Sequence, residues 1–239
     1  MVSGTESLTN LALMLAAGSV EVVNFTGKLE HNTPILQLPE DFPKNTPKVE
    51  IHKISEYDND GPFFAWNWMK LGEHSGTHFG APHHWITGTD YEDGFTDTLD
   101  VRRLITPVNV VDCSKQAAAN EDFLLTADGI RAWEAEHGEI GKGGWVLMRT
   151  DWYKRAGDEA MFLNADDTAP HSPGPTPDCM DICCPKGSLA GALNVSEQVP
   201  GRLAGWNRHI LHIICCTATI ALVWPALQTL TSCRPTGSF

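Results

Sequence analysis

Apolar and polar positions recur along this chain in stretches short enough to mark single elements. Residues 8–17 predict a short helix, and Ser19–Thr26 (SVEVVNFT) alternates with period two and predicts a strand. Residues 27–62 are rich in Pro, Asn and Asp and read as loop with short extended pieces. Pro107–Cys113 (PVNVVDC) and Trp145–Thr150 (WVLMRT) are β-branched or apolar runs bounded by turn residues, the pattern of buried strands. Between them, Thr126 can cap a helix running through Glu136, with Gly138 suited to its stop. Strands alternating with helices predict an α/β domain. Residues 164–178 (NADDTAPHSPGPTPD) are a Pro-rich segment too varied for a low-complexity linker, and no internal repeat is present.

Composition narrows the function classes. Hydrophobic residues make up 42% and charged residues 20% of 239, ordinary for a soluble domain. A formal charge of -13 argues against nucleic acid, whose phosphates require a basic stripe, and against an anionic membrane surface. No apolar run reaches the ~20 residues of a membrane span. The start has no positive region ahead of its apolar patch, so a signal peptide is not expected. Seven cysteines, odd in number and without zinc-site spacing, fit free thiols in a reducing cytoplasm.

Candidate chemistry concentrates in one place. Four of the ten histidines fall in residues 74–84, EHSGTHFGAPHHW in context, where a uniform spread would put about half of one. Imidazole is the commonest side-chain metal ligand and titrates near neutral pH. Gly76 and Pro82 disfavour a helix, so these side chains ride on an irregular loop that can converge on one ion. A solvated His-rich loop is the plain alternative. Phe63, Phe64, Trp66, Trp68 and Trp85 flank the cluster, as core residues or as the lining of a pocket for a flat aromatic ligand. No nucleophilic Ser or Cys elbow is present, which disfavours covalent catalysis.

His74, Gly76, Thr77, His78, Pro82 and His84 match in register the signature H-x-G-T-H-x-D-x-P-x-H. On this signature the chain resembles the cyclase family, the kynurenine formamidase-like metal-dependent hydrolases. It is similar to that family's isatin-hydrolysing members over roughly residues 15–180, through NTPILQLP, DGPFFAWNW, GFTDTLDV, LLTADGI and PHSPGPTP. The resemblance implies a swivelling β/β/α domain, a homodimer, and hydrolysis of a small aromatic cyclic amide, isatin to isatinate. It assigns His74 and His78 as metal ligands, with Mn²⁺ or alternatively Zn²⁺ as cofactor. It makes His84 the general base and acid, leaves His83 without a role, and suggests Phe63, Trp66 and Trp85 as substrate contacts. One ligand departs: the aspartate of the signature is Gly80, which cannot coordinate. Losing an anionic oxygen ligand weakens the hold on a hard ion. An impaired member that binds metal or an aromatic ligand weakly is therefore the alternative.

Residues 1–180 read as this hydrolase domain, and the character of the chain then changes. Residues 181–239 hold two of the 30 acidic residues, Asp181 and Glu197, but five of the seven cysteines. Their net charge is +2, so residues 1–180 carry -15. After PTPD the family continues as YLLSKGIVGWGSQCIGT-type sequence, whereas this chain reads DICCPKGSLAGALN. A shifted reading frame accounts for the change. The third base of each codon plus the first two of the next can spell the family segment from Asp181 onward. Trp206–Asn207 must then give Glu and Trp224–Pro225 must give Ala, and both fit. The Cys183–Cys184 and Cys215–Cys216 pairs fall where Leu-Leu written CTGCTG is read out of frame. A zinc site built from these cysteines is a further reading, but C-x3-C-C is not a standard ligand spacing.

Overall fold

β5 (Trp145–Arg149) is the axis of the molecule, because four consecutive residues of it, Trp145 to Met148, are buried. A strand covered on both faces needs such an unbroken apolar run. The computed structural model describes residues 4–35, 46–59, 61, 64–79, 95–166, 171–183 and 189–193. β3 (Val108–Asp112) and β7 (Leu189–Leu193) flank β5 in a three-stranded parallel sheet, in register from Val108↔Trp145↔Leu189 to Asp112↔Arg149↔Leu193. Side chains then alternate across it. Val146 and Met148 join Val111, Cys113, Leu125, Ile130, Ile140, Cys179 and Cys183 on one face. Trp145 and Leu147 pack with Phe25, Phe79, Leu104 and Tyr153 on the other.

One helix precedes these strands in the chain and the others lie between them. α1 spans Gly4–Ala16 and buries none of its residues. α2 (Ser114–Ala119) follows β3. α3 (Ala127–His137) starts where the Thr126 hydroxyl accepts from the Gly129 amide at 3.2 Å, and it ends at Gly138, whose φ of 92° favours glycine. Its Ile130 is fully buried, and Trp133 donates its indole N–H to the Val110 carbonyl at 3.0 Å, fixing the helix to β3. α4 is Glu159–Leu163, and α5 (Pro177–Cys183) packs beside α3. There the Asp178 carboxylate accepts from the first amide of α3, Ala127, at 3.1 Å. Two-residue strands β4 (Leu124–Leu125) and β6 (Gly174–Pro175) pair in parallel nearby.

β1 (Glu50–Ser55) and β2 (Trp66–Lys70) form a separate antiparallel ribbon with a bulge between Lys53 and Ser55. All five residues of β2 are exposed. The α/β class and the strands at 107–113 and 145–150 are as expected from the sequence, as is the helix starting at Thr126. Ser19–Thr26, expected as a strand, is not one. Val23 and Phe25 are drawn into the cluster around Trp145 and Leu147, and the segment runs there without a ladder partner among the described residues. β1 is one of the short extended pieces expected within 27–62, whereas β2 lies beyond that stretch, where charged and aromatic residues lack the clean alternation of a half-buried strand. Residues 181–183 close α5 and 189–193 supply β7; the rest of the 181–239 segment lies outside the described residues. Among the described residues no helix is long and apolar enough to cross a membrane.

Candidate metal centre

The loop Glu73–Phe79 carries the first half of the histidine cluster. Gly76 turns it with φ of 63°, a left-handed conformation that glycine adopts without strain. The turn brings the Gly76 carbonyl within 2.9 Å of His78 Nδ1. A carbonyl can only accept, so Nδ1 carries the proton and the neutral ring presents a lone pair at Nε2. That Nε2 lies 3.0 Å from His74 Nδ1, with the rings edge-on at 67° and centroids 4.9 Å apart. Burial lowers the His78 pKa from its ordinary value, outweighing the hydrogen bond to the Gly76 carbonyl, which raises it. His74 Nε2 faces the Glu73 carboxylate at 3.6 Å.

With the lone pair of His78 at Nε2, His74 Nδ1 is the donor of the 3.0 Å contact between the rings, and the two imidazoles would be candidates to hold one ion once that proton is lost. A ligating histidine characteristically donates its other N–H to a carbonyl or carboxylate, as His78 does to Gly76. Among the described residues no set of three His, Cys, Asp or Glu side chains converges, and His74 and His78 stand as a pair.

Neighbouring residues hold the loop. Thr77 Oγ1 accepts from the Gly27 amide at 2.8 Å, and the Phe79 ring meets Trp145 edge-on at 6.2 Å. The Ser75 hydroxyl and the Trp145 indole N–H are both buried and have no hydrogen-bond partner among the described residues. Sequence reasoning did not single out Thr77 as an anchor, although its place in the signature was a signal. Of the other candidates, Trp66 stands on β2, about half exposed, with its ring edge-on to Phe64 at 5.6 Å. Phe63, Gly80, His84 and Trp85 lie outside the described residues.

A second group of charges sits at the carboxyl ends of β3 and β5, the end where open parallel sheets place their ligands. Arg149 is nearly buried between Asp112 and Asp151, each at 2.9 Å, and Lys154 reaches Asp151 at 2.8 Å. Beyond it, His171 bridges Asp122 and Asp166 at 2.8 and 3.2 Å, contacts that raise its pKa.

Comparison with known proteins agrees with the signature. The profile of a cyclase family matches residues 23–193. An isatin hydrolase of Roseibium aggregatum is 74% identical over 184 residues, covering 77% of this chain and 70% of that protein. Among solved structures, an isatin hydrolase bound to the product analogue thioisatinate superposes with a TM-score of 0.76 at 72% identity, covering 80% of this chain and 73% of that one. Isatin hydrolase A from Ralstonia solanacearum also gives 0.76, at 37% identity and covering 95% and 81%.

Proposed function

This chain belongs to the cyclase family, and from that membership we propose that it hydrolyses isatin to isatinate. The observation that carries the proposal is the paired imidazole site, His74 beside His78, in a chain 74% identical to an isatin hydrolase. The impaired-member alternative has no support from these relatives.

Isatin is a lactam whose amide carbonyl adjoins a ketone, which makes the amide carbon electrophilic. His74 and His78 would hold the ion, Mn²⁺ or alternatively Zn²⁺. Such an ion, when bound, polarises a carbonyl and acidifies water. His84 takes the proton of the attacking water as the new C–O bond forms. The amide C–N bond then breaks, and the same imidazole returns the proton to the departing aniline nitrogen. Water is consumed and the ring opens to a carboxylate, with no covalent enzyme intermediate. Phe63, Trp66 and Trp85 would receive the flat ring, and a half-exposed indole such as Trp66 has face left for it.

The same reading carries a homodimer working in the cytoplasm. It also carries a division at residue 180, with the segment after it read out of frame.

The test is loss of isatin absorbance with the purified chain across a Mn²⁺ series. Turnover that rises and saturates with the ion is expected, saturating late because Gly80 supplies no carboxylate. A folded, ion-loaded chain that leaves isatin intact would sink the substrate assignment.

A further inference from the structure

We propose that Thr77 is a positioning residue: its hydroxyl fastens the loop bearing His74 and His78 to the backbone of Gly27 and so sets where the two imidazoles stand. The bond spans 50 residues of sequence, from the Gly27 amide to Thr77 Oγ1 at 2.8 Å. Around it the two segments meet almost without clearance. A Cβ built on Gly27 would lie 3.2 Å from Thr77 Oγ1, and one on Gly76 would lie 3.1 Å from Leu29 Cδ1. A side chain at either glycine would crowd these side-chain atoms, so glycine suits both positions.

The anchoring strand of chain is itself fixed. Phe25 is buried against Trp145 and Leu147, the same cluster that Phe79 joins from the other end of the loop. The loop is thus held at two points, by the Thr77 hydrogen bond to Gly27 and by the Phe79 ring against Trp145 of β5, with His78 between them. Because the Gly76 carbonyl accepts from His78 Nδ1, the orientation of the Gly76–Thr77 peptide is what aims His78 Nε2 at His74. Releasing Thr77 from Gly27 frees that peptide to rotate. It takes the tautomer of His78 and the approach of the two nitrogens with it.

A threonine that merely steadied the fold would lower stability and leave the histidines as they are, so the test reads the histidines directly. It compares Thr77→Val, which keeps the shape and removes the acceptor, with Thr77→Ser, which keeps the acceptor, both in the full chain. The first readout is the imidazole ¹⁵N shifts of the metal-free protein. Wild type and Thr77→Ser should show His78 as the single Nδ1–H tautomer, and Thr77→Val a mixture. The second readout rests on the metal-binding reading above: the Kd for Mn²⁺ and for Zn²⁺. Loss of such a supporting hydrogen bond typically weakens binding by about 10–100-fold, which is expected for Thr77→Val and not for Thr77→Ser. A wild-type chain that took up neither ion would sink the metal reading, and the tautomer readout would then decide this proposal alone. Wild-type tautomer and Kd in a folded Thr77→Val chain, or equal loss in both variants, would overturn it.

Discussion

His74 and His78 are four residues apart, yet no helix brings them together; one left-handed glycine and one backbone carbonyl do. Their pairing was legible in the sequence because it is local, needing only the signature's own Gly76 to turn the chain. The Gly27 tie was not, since it joins residues 50 positions apart and no pattern in either segment announces the other. Nor could sequence assign a surface to Trp66, because an indole in an aromatic run suits a core as well as a half-exposed ribbon. Two single substitutions separate the proposed roles. His78→Ala removes a ligand and should abolish measurable metal uptake together with turnover. His84→Ala should leave the Kd for the ion within a few-fold of wild type and lower kcat by about 10²–10⁴-fold, the usual weight of a general acid–base group. Isothermal titration beside isatin kinetics checks both. Unchanged turnover in His84→Ala would move the proton transfer to another group, with His83 the next candidate.

At the scale of elements, the buried strands and α3 were legible for physical reasons that the structure makes plain. β5 needed four consecutive apolar residues because both faces are covered, and α3 needed a cap at Thr126 and a stop at Gly138. Ser19–Thr26 misled because its alternation serves packing of Val23 and Phe25 rather than ladder pairing. The turn after β5 carries a cost the sequence did not reveal. Asp151 has φ of 60°, unusual for a non-glycine residue, and is held there while its carboxylate binds Arg149 and Lys154. Burial alone would raise the Asp151 pKa, but hydrogen bonds from Lys154 and Arg149 outweigh it and hold the group below its ordinary 3.8. A carboxylate whose folded pKa is depressed contributes stability that is fully present above the unfolded value. That contribution is lost as pH falls through the folded one. Asp151→Asn keeps the side-chain shape and tolerates the left-handed turn while removing the charge. It should therefore melt below wild type at pH 7, and the gap in Tm should narrow as pH falls below about 3.8. A gap constant from pH 7 to pH 2.5 would show that the ion pairs at β5 contribute nothing to stability.

Across the whole molecule, the change in composition falls at residue 180, inside the stretch that the family profile matches. The family profile ends at residue 193, and the 74% identity extends over 184 residues. Yet the chain beyond 180 carries +2 where the preceding part carries -15. A segment read out of frame has no reason to carry the alternation that a sheet or helix face requires. Even so, the backbone of 189–193 pairs with β5. Main-chain hydrogen bonds ask only for a donor and an acceptor at each residue, and LAGAL contains no proline to interrupt them. On the frame-shift proposal, two small lesions would account for most of the departure from the family. An A-to-G change at the second base of an Asp codon would give Gly80, and loss of the wobble base in ATG-GAN-TAT would give Met180–Asp181 followed by the new frame. Sequencing the coding DNA around these codons tests the history, and a two-by-two set of proteins tests its consequences. Gly80→Asp alone should tighten Mn²⁺ binding and bring saturation of the isatin assay to lower ion concentration. Inserting one base at codon 181 alone should raise soluble yield and sharpen the thermal transition without supplying the missing carboxylate. The doubly repaired protein should combine both gains, with the highest isatin turnover of the four. If the inserted base left solubility and melting cooperativity unchanged, the segment after residue 180 would have to be accepted as a native part of the domain. The composition change would then be one the fold tolerates.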